Sequence, residues 1–315
     1  MGTSRGARHL LGSTARFPRP PRWTPRMTKP HRFGGPWTQE KLDRLAKYLS
    51  AYTTIFTKNE RAQWFTTTYV DAFAGTGFRA LRTGDTERRL FDDPDAEEFQ
   101  KGSAAIALDV EPPFDRYIFV DQNPEYIRDL GDLRKKYRSR RIEVHESDAN
   151  QFLANWCRQT NWKHNRAVVF LDPYGMQVEW STIESIGATK AIDLWLLFPL
   201  GQAVNRMLTK TEPDPSWARS LTRFFGTDLW KQEFYRSIGQ GRLFDDGTGV
   251  ERTANFVSIG DFFVRRLRTA FAGVAEKPLP LTNSKHIPIY LLCFASANPG
   301  KANLALKIAN HILGS

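Results

Sequence analysis

The chain has 315 residues, 41% of them hydrophobic and 25% charged, which allows one large or two modest domains with a sizeable core. No run approaches the roughly 20 consecutive apolar residues of a membrane span, and the longest candidate, 194–200, contains Trp195 and Pro199. Two cysteines, Cys157 and Cys293, leave no disulfide framework and no cysteine-rich metal site, so the chain is expected to be cytoplasmic with two buried thiols.

The net charge of +11 is unevenly spread. Residues 1–39 carry Arg5, Arg8, Arg16, Arg19, Arg22, Arg26, Lys29 and Arg32 and no acid, leaving 37 basic against 34 acidic residues in the remainder. A phosphate-binding tail, a transit-like peptide and an upstream extension are three readings of this arm. The last is favoured, with a true start at Met27, because the arm lacks a helical apolar period and Met27 precedes the first patterned segment. Residues 1–36 are therefore expected to be a disordered basic arm.

From Thr38, a plausible N-cap, Leu42, Leu45, Leu49, Tyr52 and Ile55 or Phe56 share one helical face and predict a lead-in helix. Strand-like and helix-like segments then alternate, the pattern of a mostly parallel sheet with helices on both faces. Strands are expected at 68–72, 116–120, 142–145, 167–171, 192–198 and 287–295, and helices at 103–109, 124–137, 149–158, 181–186 and 301–313. The segment 201–280 breaks the beat and reads as a helical cap, with helices near 214–238 and 255–271. The expected organisation is thus an α/β, Rossmann-like core over 37–200, a helical insertion over 201–280, and a strand and helix over 281–315 that complete the core.

The first strand runs through Asp71 and Phe73 into Gly75-Thr76-Gly77, small residues suited to a sharp turn against which a cofactor can lie. The second strand ends in Asp121, placed to accept from ribose hydroxyls. Asp148 follows the third strand, either as an acceptor for an adenine amino group or as a helix cap. The turn lacks the third glycine of a dinucleotide fingerprint and the chain has no phosphate loop, so a nucleoside with a sulfonium and an amino-acid tail, S-adenosylmethionine, is the expected cofactor. Residues 78–101 form an acidic-basic excursion, a lid or a surface loop.

The fourth strand is a continuous apolar run ending in Asp172-Pro173-Tyr174-Gly175. An exocyclic base amine is a poor nucleophile because its lone pair is delocalised into the ring. A carboxylate accepting from its hydrogens, a carbonyl stiffened by proline and an aromatic ring against the base favour attack on a sulfonium methyl. Asp172, Pro173 and Tyr174 supply those parts, although Pro and Gly also favour a plain turn.

Asp172-Pro173-Tyr174 resembles the Asp-Pro-Pro-Tyr motif of adenine amino-methyltransferases, with one proline fewer, and Asp-Pro-Tyr-Gly resembles the matching stretch of tRNA guanine-N2 dimethyltransferases. Over most of the chain after Met27 the sequence is similar to the bacterial three-Cys-motif partner protein family (TcmP), which is methyltransferase-like. The resembling segments are 37–42 with 45–49, 70–77, Gly102-Ser103-Ala104, 170–175 and 290–296. The resemblance implies a class I methyltransferase fold, an operon partner with a three-cysteine motif of iron-sulfur or radical type, and a long gap after the glycine turn. The expected activity is methyl transfer to an exocyclic amine of a nucleic-acid base or nucleoside. A non-catalytic accessory of that partner, and a nuclease or nucleotide hydrolase of a mobile-element defence system, are the alternatives.

The basic cluster Arg128, Arg134, Lys135, Lys136, Arg138, Arg140 and Arg141 reads as a solvated helix end rather than a phosphate grip. Trp217, Phe224, Phe225, Trp230, Phe234 and Tyr235 read as the core of the cap rather than a base-stacking platform. Lys285-His286 is expected at the surface, and the histidines show no metal spacing.

Overall fold

The computed structural model describes residues 36–74, 95–237 and 249–314, with side chains at 40–74, 102–237 and 249–314. The first half alternates as the sequence pattern predicts: α1 (Pro36–Lys58), β1 (Thr66–Asp71), α2 (Asp95–Asp109), β2 (Arg116–Asp121), α3 (Pro124–Lys136), β3 (Ile142–Glu146), α4 (Ala149–Gln159), β4 (Asn165–Leu171), α5 (Trp180–Ala188) and β5 (Ile192–Phe198). A π-helical turn, Leu200–Val204, then leads into α6 (Asn205–Met207), α7 (Pro215–Phe225), α8 (Leu229–Phe234), the short strands β6 (Tyr235–Ser237) and β7 (Val250–Arg252), and α9 (Phe256–Ala270). The chain closes with β8 (Gly273–Val274), β9 (Leu279–Thr282), β10 (Pro288–Ser296) and α10 (Ala302–Leu313). Among the described residues no helix is long and apolar enough to cross a membrane.

The main sheet runs β3-β2-β1-β4-β5-β10-β8, and β9 also pairs with β10. Strands β1 to β5 are mutually parallel, and β10 returns antiparallel beside β5. Helices cover both faces, so the fold is a Rossmann-like α/β sandwich of three layers. In such a sheet the strands that are buried on both faces need continuous apolar runs. β4 and β5 meet that requirement, with Ala167 to Leu171 and Ile192 to Phe198 all buried.

Alternation along the strands divides the core in two. Val70, Ile118, Val120, Val169, Leu171 and Leu194 pack with α4, α5, α7 and α9. Tyr69, Tyr117, Phe119, Val168, Phe170 and Trp195 pack with α1, α2, α3 and α10. α1 presents Leu42, Leu45, Tyr48, Leu49 and Tyr52 to this second face, all buried. Thr38 lies within α1, so it is not the N-cap of that helix.

Two further expectations are corrected. α2 begins at Asp95, not near residue 103, so the excursion over 78–101 ends inside a helix. The segment 201–280 is not helical throughout. β6 and β7 form a separate two-stranded sheet, while β8 and β9 join the main one. β9 carries Pro280, which is tolerated because the strand lies at an edge.

Candidate active site

Three neighbouring strands, β2, β1 and β4, each end at or just before an aspartate. Asp71 is in register with Phe119 of β2 and Phe170 of β4. Asp121 and Asp172 therefore each stand two residues beyond that row, about 7 Å further along the strands. By the alternation of side chains, all three fall on the face covered by α1 and α2. All three are buried, at 1%, 3% and 8% exposure for Asp71, Asp121 and Asp172.

Each acid has a different set of partners. Asp71 Oδ2 accepts from Ser103 Oγ at 2.7 Å, while Oδ1 has no hydrogen-bond partner of good geometry among the described residues. Burial pushes its pKa up to about 7, aided by the charges of Asp172 and Asp121 and opposed by Ser103 and the Phe73 amide. Asp121 Oδ1 accepts from the Asn123 amide at 2.6 Å, and its Oδ2 is also without a partner among the described residues. Its pKa rises to about 6 through burial, against the amides of Asn123 and Gln122. Asp172 Oδ2 accepts from Lys41 Nζ of α1 at 3.3 Å. Burial raises its pKa and Lys41 opposes the rise.

The segment Gly102-Ser103-Ala104 has a local explanation. A Cβ on Gly102 would meet Leu42 Cδ1 of α1 at 3.1 Å, so the small residue lets α2 press against α1. Ser103 then reaches Asp71, and Ala104 is fully buried beneath.

The corner after β4 is held from α4. Asn150 Nδ2 donates to the Gln177 carbonyl at 2.9 Å, and Asn150 Oδ1 accepts from the Glu179 amide and from Thr182 Oγ1, each at 2.9 Å. Pro173 is buried and Tyr174 is half-buried against the apolar core. Gly175 turns the chain with φ +66°, a conformation that L side chains disfavour.

The other expected site residues divide. Asp148 is the N-cap of α4: Oδ1 accepts from the Gln151 amide at 3.0 Å and Oδ2 from Gln122 Nε2 at 2.7 Å. Of its two readings, the cap is the one these contacts describe. The Phe73 side chain is buried in the apolar core of the opposite face, so only its backbone bears on Asp71. Gly75 and Gly77 lie outside the described residues. Phe224, Phe225, Trp230 and Phe234 are fully buried, Tyr235 nearly so and Trp217 partly, as core aromatics. In the basic cluster, Lys135 pairs with Asp132, Arg140 with Glu111 and Arg141 with Glu143. Lys285 and His286 are exposed.

Lys41 is the residue that sequence reasoning missed. It is 3% exposed and its Nζ lies 5.8 Å from the Tyr290 ring centroid of β10. Its signal was positional: Lys41 stands four residues before Leu45 and seven before Tyr48, on the buried stripe of α1.

No family model and no curated protein matches the chain. Among solved structures it is similar to protein LPL1258 from Legionella pneumophila, at 12% identity over 90% of this chain and 92% of that one, with a TM-score of 0.44. It is also similar to the N-terminal domain of EvdMO1, crystallised in the presence of SAH and D-fucose, at 10% identity over 80% and 82%, TM-score 0.36. A putative methyltransferase yhhF from Escherichia coli aligns at 12% identity over 65% and 82%, TM-score 0.29. The strand order and register, rather than these likenesses, carry the description of the fold.

Proposed function

We propose that the protein is an S-adenosylmethionine-dependent methyltransferase acting on an exocyclic amine of a nucleic-acid base or nucleoside. The observation that carries this reading is the convergence of Asp71, Asp121 and Asp172 at the carboxyl edge of three adjacent strands, with a buried oxygen on each of the first two that has no hydrogen-bond partner of good geometry among the described residues. Open parallel sheets bind ligands at this edge. A buried acceptor without a partner costs about 1–3 kcal/mol, which a ligand donor recovers.

The donor set fits the cofactor. Asp121 Oδ2 suits a ribose hydroxyl, and Asp71 Oδ1 suits the ammonium of the amino-acid tail, beside the Phe73 backbone. Asp148, paired with Gln122, borders the adenine position. S-adenosylmethionine supplies an electrophilic methyl group on a positively charged sulfur. Asp172 accepts from the substrate amine, the carbonyl at Pro173 fixes its second hydrogen, and Tyr174 lies against the base. A three-cysteine-motif protein, the partner implied by resemblance, is its companion in the cytoplasm.

Isothermal titration of the full chain with S-adenosylmethionine tests the cofactor, and Asp121→Ala is expected to weaken binding by roughly tenfold to a hundredfold through loss of a charge-assisted hydrogen bond. Wild-type protein that takes up no cofactor would remove the reading. Transfer of a tritiated methyl group to DNA, RNA or nucleosides then identifies the substrate class.

A further inference from the structure

One buried cation at the carboxyl edge stands outside the contacts assigned to cofactor and amine. Lys41 is the only buried lysine or arginine among the described residues. Burying an ammonium costs several kcal/mol unless it is paired, and an apolar side chain of similar length would fill the same place on α1 at no such cost. The cation is therefore tied to what it faces. Asp172 faces it from β4 and Tyr290 from β10; Asp71 and Tyr69 of β1 lie alongside Asp172, Ser103 of α2 donates to Asp71, and Asp121 of β2 stands one strand further. Three acids crowd this edge, and the ammonium bonds one of them, the one that ends the central strand.

We propose that Lys41 is a positioning residue for Asp172: its ammonium keeps the carboxylate in its ionised, accepting form and fixes Oδ2, leaving Oδ1 to the N–H of the substrate amine. The inference rests on the reading of Asp172 as the amine acceptor. The protonation state decides what that residue can do. An ionised Asp172 accepts an amine hydrogen and leaves the nitrogen lone pair available. A protonated one offers an O–H to that lone pair and blocks attack on the methyl group. Burial drives Asp172 toward the second state, and Lys41 at 3.3 Å drives it toward the first.

The test is a titration of the carboxyl signals of the full chain labelled with carbon-13 at its aspartates, with Asp172 assigned by Asp172→Asn. In Lys41→Met the Asp172 midpoint is expected to rise by about one pH unit or more, a tenfold change in its acid constant, and Lys41→Arg is expected to restore it. In the unmutated protein, the side-chain signal of Lys41 is expected to follow the midpoint of Asp172, a measurement that needs no variant to fold. Equal midpoints in wild type and Lys41→Met, or a Lys41 signal indifferent to the ionisation of Asp172, would overturn the proposal. Cofactor titration on the same samples keeps the two claims apart. S-adenosylmethionine binding that is lost in wild type counts against the methyltransferase reading, whereas binding retained alongside unmoved midpoints counts against Lys41 alone.

Discussion

The two faces of the sheet are built from different chemistry. On the side of α4, α5 and α9 the core is aromatic and aliphatic, with Phe263 stacked on Phe198 at 4.1 Å and Phe224 alongside at 5.8 Å. On the side of α1 and α2 the sheet buries Asp71, Asp121, Asp172 and Asp193 with Lys41, Ser103 and Tyr48 among its apolar residues. Even there the acids are not alike. Asp193, near the amino end of β5, accepts from Tyr48 Oη at 2.7 Å, whereas Asp71 and Asp121 at the carboxyl end each keep an oxygen with no hydrogen-bond partner of good geometry among the described residues. A buried acid with its partner inside the protein belongs to the structure, and one with an orphaned oxygen points to a ligand.

The largest effect that tests this contrast lies on the apolar face. Phe263→Ala removes a fully buried ring and is expected to cost about 3–5 kcal/mol in urea unfolding. Its affinity for S-adenosylmethionine, measured by calorimetry where the variant is folded, is expected to match wild type. A loss of affinity as large as that of Asp121→Ala would erase the division between the faces.

On the polar face the effect is smaller and depends on pH. The Asp71 pKa is raised from 3.8 to about 7, so its protonated form favours folding. That contribution is fully present below pH 3.8 and is lost as pH rises through about 7. Asp71→Asn keeps an acceptor for Ser103 and removes the charge. Relative to wild type, the variant is expected to gain stability progressively between pH 4 and 7 and to stay ahead above that. Paired denaturation curves across this range check it, and a constant difference would show that Asp71 does not titrate there.

Two glycines give the smallest effects, with opposite signs. Gly175 has φ +66° with nothing within 4 Å of a Cβ, so Gly175→Ala is expected to cost about 1 kcal/mol from backbone strain alone. Gly131, inside α3 and equally uncrowded, is expected to gain about 0.5–1 kcal/mol as Gly131→Ala. Thermal melts of both variants read the comparison.

Much of the fold was legible because strand alternation states it directly. Tyr69-Val70-Asp71 and Phe119-Val120-Asp121 repeat one parity, and the apolar run before Asp172 marks the centre of the sheet. The acids Asp71, Asp121 and Asp172 could be singled out because each ends such a run. What escaped depends on partners remote in the chain or on segments too short for a period. Lys41 and Asp172 are 131 residues apart, and a lysine on a helix ordinarily reads as solvated. Ser103 looks like an unremarkable small residue until Asp71 lies beside it. β8 has two residues and β9 four, one of them proline, so neither declares itself as a strand.

The span between Lys41 and Asp172 has a consequence for how the chain matures. As synthesis proceeds, α1 emerges early with an ammonium on its otherwise greasy stripe, and the carboxylate that pairs with it follows only after four strands, β1 to β4. Until then, docking of α1 on the young sheet would strand a charge in an apolar environment. The helix is therefore expected to seat only once β4 is in place, and its docking then completes the corner at Asp172.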